Sequence, residues 1–337
     1  MRRRVAINGF GRIGRLVFRQ LMEEDELELV ALNDIAPLDN LVYLLKHDSV
    51  HTNPTVSIEP GNDTLHWGDR GIRFMSVRDP GELPWDELEV DLVLEASGAF
   101  TKRGDAAKHI AAGADRVIVT APVKGADVTI CMGVNEEVFD PARHHVISNA
   151  SCTTNCLAPV ASVLDEAFGI ESGLLTTVHA YTSSQAVVDT PSKKWRRGRA
   201  AAVSIVPTTT GAAIATTEVL PDLEGKLDGM AMRVPVANGS IIDLVVETEQ
   251  PATVDGVNDA FRQAAASDRL NGILGVTDDE LVSADIIGST YSALVDAGST
   301  MVTRDQMVKV LAWYDNEWGY ARRVIDLAQF VGQHASA

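Results

Sequence analysis

A glycine pattern near the start of the chain is the feature that most narrows its possible folds. Residues 9–14 read G-F-G-R-I-G, which matches G-x-G-x-x-G. The alternating apolar run Arg3 to Asn8 precedes the pattern, and an amphipathic run that reaches Met22 follows it. A strand, a glycine turn and a helix in this order predict the opening of a dinucleotide-binding βαβ unit, in which the glycines let a pyrophosphate approach the backbone.

A carboxylate at the expected distance supports this prediction. A second apolar run, Leu27 to Leu32, ends in Asn33-Asp34, and Asp34 lies 20 residues after Gly14. A carboxylate there hydrogen-bonds the ribose of a bound adenosine, whereas glycines that only permit close packing of strand and helix require no acid. A carboxylate at position 34 also repels the 2′-phosphate of NADP by about 1 to 4 kcal/mol. Residues 35–37 (I-A-P) supply no basic side chain to neutralise that phosphate. We therefore predict NAD rather than NADP.

Strand-like and helix-like segments alternate through the rest of the first half of the chain. They are a helix at 38–45, strands at 56–58, 72–77 and 91–96, a helix at 105–112, and strands at 116–120 and 128–132. This alternation predicts an α/β fold with a Rossmann-type, doubly wound parallel sheet. Ligands bind such sheets beyond the carboxyl ends of the strands, where Arg78, Ser97, Thr101 and Thr120 fall, although one polar residue after a strand is usually just a turn.

The stretch S-N-A-S-C-T-T-N-C-L (148–157) places Cys152 between a short β-like run and a helical pattern of about 17 residues. A helix start favours a thiolate, but a dipole effect of about 0.3 to 1 kcal/mol is small against the ~1.36 kcal/mol of one pKa unit. A second positive partner is needed, and we predict His179, 27 residues further on. A capped helix with a small buried residue is the simpler alternative for Cys152 and stays open; Cys156 is interpreted as core.

The pattern changes after Cys152. Long strand-like runs at 227–236, 240–249 and 307–314, with a helix at 254–266, predict an α+β domain with a largely antiparallel sheet. The last helix, at about 317–332, is predicted to pack back on the first domain. We therefore divide the chain into a nucleotide-binding domain at 1–151 and a catalytic domain at 152–315, with the segment 316–337 returning to the first domain.

Composition excludes several classes of function. The chain has 47 acidic and 29 basic residues, a net charge of −18, which argues against nucleic-acid binding because such a surface repels phosphate backbones. It contains three cysteines, too few for a disulfide framework. We expect a cytoplasmic protein, because glycines interrupt any signal-peptide core and no apolar run approaches the ~18 residues of a membrane span. The acidity suits an ordinary cytosolic protein or, as we favour, one that works at high salt.

The loop at 183–202 is basic in an otherwise acidic chain. It contains Lys193, Lys194, Arg196, Arg197 and Arg199. A solvated face, a subunit contact and a phosphate site all remain open for it.

Six motifs together resemble the glyceraldehyde-3-phosphate dehydrogenases of the bacterial and eukaryotic type, almost from end to end. They are I-N-G-F-G-R-I-G-R (7–15), A-S-C-T-T-N-C-L-A-P (150–159), T-T-V-H-A-Y-T (176–182), P-T-T-T-G-A-A (207–213), M-A-M-R-V-P (230–235) and W-Y-D-N-E-W-G-Y (313–320). The resemblance implies a homotetramer that uses NAD, with glyceraldehyde 3-phosphate and inorganic phosphate as substrates, in sugar breakdown or synthesis. We predict no metal site.

The resemblance also implies roles for individual residues. Cys152 would attack the aldehyde carbon and His179 would act as its base, giving a thioester that inorganic phosphate releases as an acyl phosphate. The cofactor-binding positions would be Arg12, Ile13, Asp34, Arg78, Thr120 and Asn316. The positions that bind the two phosphates would be Ser151, Thr153, Thr182, Arg197, Thr210, Gly211 and Arg233. Lys193 and Lys194 receive no role.

Some positions depart from the family pattern. Ser183-Ser184 stand where Asn-Asp is common, V-A-N-G (236–239) replaces Thr-Pro-Asn-Val, and Thr190 replaces a leucine, which leaves use of NADP open. The related erythrose-4-phosphate dehydrogenases share the glycine pattern and the Cys/His pair, so they are one alternative. A catalytically silent nucleotide-binding protein is another. A Cys/His peptidase would give the glycine pattern no purpose.

Overall fold

The computed structural model describes residues 2–334, which divide into two compact units. Unit 1 comprises the described residues up to Ile130, Glu136–Ala150, and those from Ala321 onward. Unit 2 comprises Cys131–Asn135 and Ser151–Tyr320. The domain boundaries drawn from the sequence, at 151/152 and 315/316, stay predictions, and residues 1 and 335–337 of those segments lie outside the described part of the chain.

Unit 1 is built on a nine-stranded sheet. Its strands are β1 (Arg3–Asn8), β2 (Leu27–Asn33), β3 (Ile58–Pro60), β4 (Thr64–Trp67), β5 (Arg70–Met75), β6 (Leu92–Glu95), β7 (Arg116–Val119), β8 (Val128–Thr129) and β9 (Val146–Ser148). Its helices are α1 (Arg12–Leu21), α2 (Leu38–Lys46), α3 (Arg103–Ala106) and α4 (Lys108–Ala111). The strand order is β3-β4-β5-β2-β1-β6-β7-β9-β8.

The pairing confirms the predicted doubly wound parallel sheet. Strands β5, β2, β1, β6, β7 and β9 are parallel neighbours in that order, with the chain reversing direction across the sheet at β1. Three local predictions differ from the structure. The antiparallel ribbon β3-β4-β5 was not predicted as such, the predicted helix at 105–112 is two short helices that meet at Ala107, and the strand predicted at 128–132 has only two residues.

Unit 2 is built on an eight-stranded sheet. Its strands are β10 (Ile170–Ala180), β11 (Val206–Thr209), β12 (Leu227–Val234), β13 (Ser240–Thr248), β14 (Leu274–Thr277), β15 (Ala293–Asp296), β16 (Met301–Thr303) and β17 (Met307–Tyr314). Its helices are α5 (Cys152–Phe168), α6 (Ala212–Val219) and α7 (Val254–Ala265). The sheet is largely antiparallel, as predicted, with parallel pairs at β10/β12 and β14/β15.

Helix α5 carries the core of unit 2. Its buried face, which includes Cys156, Leu157, Val160 and Leu164, belongs to one apolar cluster with the sheet and with α7. Each such buried leucine contributes about 1.5 to 3 kcal/mol. Cys156 is fully buried, which confirms its interpretation as core. This packing fixes the position of α5 against the sheet, and the first residue of the helix is Cys152.

The last helix, α8 (Trp318–His334), begins in unit 2 and continues into unit 1. Within unit 1, Arg322 forms an ion pair with Glu24, and the carbonyl of Gly332 accepts a hydrogen bond from Arg3 at 2.8 Å. No helix among residues 2–334 has the length and apolar character that crossing a membrane requires.

Candidate active site

A cleft of about 300 Å³ lies at the carboxyl ends of the strands in unit 1. Its lining includes Gly9, Gly11, Asp34, Arg78 and Ser97. The two carboxylate oxygens of Asp34 accept hydrogen bonds from the backbone amides of Phe10 at 2.6 Å and Ala36 at 2.8 Å. These bonds fix the acid at the rim of the glycine turn, where the sequence predicted a ribose partner.

The three glycines of the turn differ in what they permit. A Cβ on Gly9, whose φ is +94°, would lie 2.3 Å from the backbone nitrogen of Ser97, and a Cβ on Gly14 would lie 2.0 Å from the carbonyl oxygen of Gly9. These two positions need glycine for close packing. A Cβ on Gly11 would meet nothing within 4 Å. Gly11 caps α1 without a side chain, so the turn fits the pyrophosphate of a dinucleotide, which binds at a helix N-terminus.

Three other residues of unit 1 were predicted to bind the cofactor. Arg12 and Ile13 begin α1, and Thr120 follows β7, but in the part of the chain that the structure describes none of the three belongs to the cleft lining. Arg12 donates to Asp48 at 2.7 Å. Burial alone would raise the pKa of Asp48, but this bond and two backbone amides hold it below its usual value.

Cys152 lies at the start of α5 in unit 2, as the strand-to-helix pattern predicted. Ser151 is the N-cap, and its hydroxyl accepts a hydrogen bond from the backbone amide of Thr154 at 3.0 Å. Ala150, two residues before the thiol, has a left-handed conformation with φ of +52°. The chain returns along β10, which brings the Nε2 atom of His179 to 3.5 Å from the Sγ atom of Cys152. The predicted pair is therefore within reach of proton transfer.

The charges around this pair differ from the sequence-based prediction. Burial raises the pKa of the Cys152 thiol, and Arg233 together with hydrogen bonds from the start of α5 opposes that rise. Burial and the charge of Arg233 lower the pKa of His179 to about 3. The imidazole is thus neutral at ordinary pH, and the positive partner expected at His179 is instead Arg233. The prediction failed because it placed the histidine near the thiol without anticipating its burial.

Arg233 also fixes the imidazole ring. Its Nη1 atom lies 2.7 Å from Nδ1 of His179 and donates to the carbonyl of Ala180 at 2.9 Å, while the same Nδ1 lies 2.7 Å from that carbonyl. In one neutral tautomer, Nδ1–H donates to Ala180 and the bare Nε2 accepts a proton from the thiol. In the other, Nδ1 accepts from Arg233 and Nε2–H donates to a thiolate. Transfer of the thiol proton to the first tautomer gives an imidazolium whose Nε2–H faces the thiolate, so the geometry supports proton transfer through Nε2.

Tyr314 connects the elements that carry the pair. Its hydroxyl lies 3.0 Å from Oγ1 of Thr153 on α5 and 2.8 Å from Oγ1 of Thr177 on β10. Its ring meets that of His179 edge-on, with centroids 5.9 Å apart. Burial raises the pKa of Tyr314, so its hydroxyl keeps its proton. Sequence reasoning did not assign this residue a role, although it lies in the motif W-Y-D-N-E-W-G-Y.

Polar groups beside the pair form a candidate anion site. Arg197 donates from Nε to Thr208 at 3.0 Å and from Nη1 to Ser184 at 3.4 Å, and Ser184 lies 2.8 Å from Thr182. The structure therefore links Arg197 and Thr182, two of the predicted phosphate positions, through Ser184 and adds Thr208 beside Arg197. A guanidinium bordered by hydroxyls is suited to a phosphate.

Other predicted phosphate positions have their side chains engaged locally. The hydroxyl of Thr210 accepts from the amide of Ala212 at the start of α6, and a Cβ on Gly211 would meet nothing within 4 Å. The hydroxyls of Ser151 and Thr153 bond Thr154 and Tyr314, respectively. Backbone amides at the starts of α5 and α6 are thus the donors that these positions offer. Lys194 donates to Thr209 at 2.9 Å.

Asn316 follows β17 in unit 2 and is held by a buried chain of hydrogen bonds. Ser240 accepts from the amide of Ala180 at 3.1 Å and donates to Oδ1 of Asn316 at 2.7 Å. This fixes the orientation of the side-chain amide, so that its NH₂ group is the end directed away from Ser240. No cluster of three or more metal-binding side chains occurs within residues 2–334.

Comparison with known proteins gives two matching family models. Residues 3–103 match the NAD binding domain of glyceraldehyde 3-phosphate dehydrogenase, and residues 151–316 match its C-terminal domain. The chain is 54% identical over 330 residues to a glyceraldehyde-3-phosphate dehydrogenase of Streptomyces coelicolor, covering 98% of both chains. The chain belongs to the glyceraldehyde-3-phosphate dehydrogenase family. This confirms the resemblance drawn from the six motifs.

Further members of the glyceraldehyde-3-phosphate dehydrogenase family are similar over their full length. The enzyme of Geobacillus stearothermophilus is 54% identical over 328 residues, covering 97% of this chain and 98% of its own. Glyceraldehyde-3-phosphate dehydrogenase 2 of Bacillus subtilis is 52% identical over 340 residues, covering all of both chains. The names of these relatives do not favour erythrose-4-phosphate dehydrogenase or a silent protein. The roles of individual site residues stay predictions.

Proposed function

We propose that this chain catalyses the reversible, phosphorylating oxidation of glyceraldehyde 3-phosphate to 1,3-bisphosphoglycerate with NAD. The observation that carries the proposal is the thiol of Cys152, 3.5 Å from the imidazole of His179 and influenced by the charge of Arg233. Family membership and the NAD binding domain that matches residues 3–103 support the cofactor and the reaction.

The first step is attack of sulfur on the aldehyde carbon. Nε2 of His179 takes the thiol proton as sulfur bonds to the carbon, and it passes this proton to the carbonyl oxygen, so that a hemithioacetal forms and the imidazole is neutral again. The backbone amide of Cys152, at the start of α5, is a donor suited to the negative charge that develops on this oxygen. His179 then removes the hydroxyl proton, so that the hemithioacetal can lose a hydride and become a thioester. Bound NAD supplies the hydride acceptor.

The second step is attack of inorganic phosphate on the thioester. Arg197, with Thr182, Thr208 and Ser184 around it, binds one phosphate, and Arg233 faces the reacting pair and binds another. An oxygen of inorganic phosphate forms a bond to the acyl carbon, and the carbon–sulfur bond breaks. The leaving sulfur takes back the proton held by His179, which restores the thiol of Cys152 and the neutral imidazole.

Cofactor choice follows from unit 1. Asp34 accepts hydrogen bonds from two backbone amides at the cleft, and a carboxylate there disfavours a 2′-phosphate. The proposed binding residues are Arg12, Ile13, Asp34, Arg78 and Thr120, with Asn316 in unit 2 for the carboxamide of the nicotinamide. NADP remains a weaker alternative cofactor.

We also propose that the protein is a cytoplasmic homotetramer. Its three cysteines are free, which fits a reducing compartment. The loop at 183–205 exposes large apolar side chains, including Trp195 at 88%, Val187 at 82% and Val203 at 80%, and exposed apolar patches are typical of subunit contacts. A sedimentation measurement that gave a monomer at working concentration would contradict this assembly.

The covalent route is tested with two cysteine variants. Cys152→Ser is expected to abolish oxidation of glyceraldehyde 3-phosphate while NAD binding is kept, because the hydroxyl is a far weaker nucleophile. Cys156→Ala, which changes a buried cysteine one turn further along the helix, should keep activity per folded molecule. Initial rates with NAD and NADP, with and without phosphate, and with erythrose 4-phosphate in place of the substrate, complete the test. Activity retained in Cys152→Ser would refute the proposal.

A further inference from the structure

Five buried polar side chains form a continuous network beneath the cleft of unit 1. They are Trp85, His109, Glu95, Asn8 and Asn33, each at most 3% exposed. The reaction proposed above uses none of them. Asn8, Asn33 and Glu95 come from the carboxyl ends of β1, β2 and β6, which are the strands that the cleft adjoins.

The indole of Trp85, at one end of this network, determines the direction of the hydrogen bonds that His109 makes. The indole of Trp85 can only donate, so Nδ1 of His109 accepts from it at 3.0 Å and the proton of His109 lies on Nε2. That Nε2–H donates to Oε2 of Glu95 at 3.1 Å. His109 is therefore neutral and supplies no counter-charge. Asn8 donates its NH₂ group to the same Oε2 atom, and Asn33 donates to Oδ1 of Asn8 at 2.7 Å.

The second carboxylate oxygen of Glu95 binds Ser97, a residue of the cleft lining. Oε1 accepts from both the backbone amide, at 2.8 Å, and the hydroxyl of Ser97. The backbone of Ser97 is the same group that would lie 2.3 Å from a Cβ on Gly9. Glu95 thus holds the segment against which the glycine turn is packed, and it does so with four donors, which is the full capacity of a carboxylate.

An ionised carboxylate without a cation is an expensive group to bury. Only an acceptor at this position satisfies all four donors, and a glutamine would turn an NH₂ group toward either His109 or Ser97. The buried charge therefore has a directional effect on Asn8 and Ser97, which line the cleft. A group needed only to fill the core would require no charge.

We propose that Glu95 is a positioning residue for dinucleotide binding, which acts through Ser97 and Asn8 on the glycine turn and is itself oriented by His109 and Trp85. The ligand class is a dinucleotide whose pyrophosphate approaches that turn. The inference rests on the proposed function for the identity of the ligand. Glu95 touches neither substrate nor reacting atoms in it, so its effect belongs to NAD affinity and not to the chemical step.

The test measures the dissociation constant of NAD by calorimetric titration and the steady-state constants of each variant. Glu95→Gln is expected to raise the dissociation constant and the KM for NAD by about tenfold or more, the scale of one lost hydrogen bond to a charged group. The kcat at saturating NAD and the KM for glyceraldehyde 3-phosphate should stay within about twofold.

A second pair of variants covers the case in which Glu95→Gln does not fold. His109→Gln keeps an acceptor for Trp85 and a donor for Glu95, and should keep most of the affinity for NAD, whereas His109→Leu should lose it as Glu95→Gln does. Asp127→Asn is the matched control, because Asp127 is a carboxylate of the same unit that accepts two backbone amides and Arg103 outside the cleft lining. It should lower thermal stability without changing NAD affinity.

The outcomes separate the two proposals. An NAD affinity that is unchanged in Glu95→Gln would overturn the role of Glu95. An equal loss of NAD affinity in Asp127→Asn, at the same loss of thermal stability as in Glu95→Gln, would overturn it too. A fall in kcat at saturating NAD with unchanged affinity would overturn it as well. A wild-type protein that binds NAD but does not oxidise glyceraldehyde 3-phosphate would refute the proposed function, while the titrations would still decide the role of Glu95.

Discussion

At the scale of single residues, Arg233 is the cation that acts on Cys152. It lies beside His179, whose own pKa of about 3 leaves it neutral. A neutral imidazole can accept a proton from the thiol, whereas a permanently protonated one could not. The arginine also resists deprotonation at any ordinary pH. In the mechanism that we propose, the site divides the two tasks, with charge supplied by Arg233 and proton transfer by His179.

The role of Arg233 predicts how the thiol titrates. Arg233→Gln should move the midpoint of Cys152 alkylation by iodoacetamide upward by about one pH unit or more, because the loss of a nearby cation disfavours the thiolate. Arg233→Lys should restore part of the shift. The measurement is the dependence of the alkylation rate on pH in the absence of substrate, followed far enough into the alkaline range to include the midpoint. If the midpoint moved in His179→Gln but not in Arg233→Gln, the positive partner of Cys152 would be His179 and not Arg233.

At the scale of elements, α5, β10 and β17 are joined through one hydroxyl. Tyr314 on β17 bonds Thr153 on α5 and Thr177 on β10, and these two elements carry Cys152 and His179. The distance between sulfur and imidazole therefore depends on how a helix and two strands meet. A hydroxyl in this position fixes their register more narrowly than apolar packing alone.

Removal of that hydroxyl should have a measurable cost. Tyr314→Phe is expected to lower the free energy of unfolding by about 1 to 3 kcal/mol, because the hydroxyls of Thr153 and Thr177 lose a buried partner. Tyr43→Phe is the matched control, since Tyr43 is 58% exposed and the change there should stay within about 0.5 kcal/mol. Urea denaturation of both variants checks the difference. Equal stability losses would show that the Tyr314 hydroxyl makes no net contribution.

The elements also show what a sequence can and cannot predict. The strand Met307–Tyr314 and the helix that begins at Cys152 were predicted because long runs carry a clear period. The strand Thr64–Trp67 was not, because a few residues carry no period. The approach of Cys152 and His179 could be predicted from their places on consecutive elements. The burial that neutralises His179, and the contact of Trp85 with His109 across 24 positions, depend on tertiary packing that no local pattern records.

At the scale of the whole molecule, net charge sets the response to salt. The chain carries a net charge of −18, and at 1 M salt the Debye length falls to about 3 Å, which screens repulsion among surface carboxylates. We therefore expect the melting temperature to rise between 0.1 and 2 M KCl. A variant with Glu82, Glu87, Glu137 and Glu280, all exposed, changed to glutamine should show a smaller rise. A melting temperature that fell with KCl would contradict the high-salt hypothesis.

Buried His179 predicts how stability depends on pH. Its pKa is about 3 when folded and ordinarily about 6.5, so between these values the unfolded chain binds a proton that the folded chain does not. Stability should therefore fall as pH drops below about 6.5, by up to ~1.4 kcal/mol per pH unit from this group. His179→Gln should remove that contribution. Urea midpoints at pH 5 and 7 give the comparison, and parallel slopes in the two proteins would contradict it.

The left-handed backbone at Ala150 has a consequence for refolding. Alanine tolerates this conformation only at a cost of about 1 to 2 kcal/mol, and glycine would lose about 0.5 to 1 kcal/mol in entropy instead. The kink is therefore imposed by neighbours, through bonds from the amide of Asn149 to Val119 and from that of Ala150 to Ser148. In a nascent or denatured chain the bonds that impose this conformation are absent, so Cys152 there has the reactivity of an ordinary thiol. The reactivity of Cys152 therefore reports how completely the chain has folded.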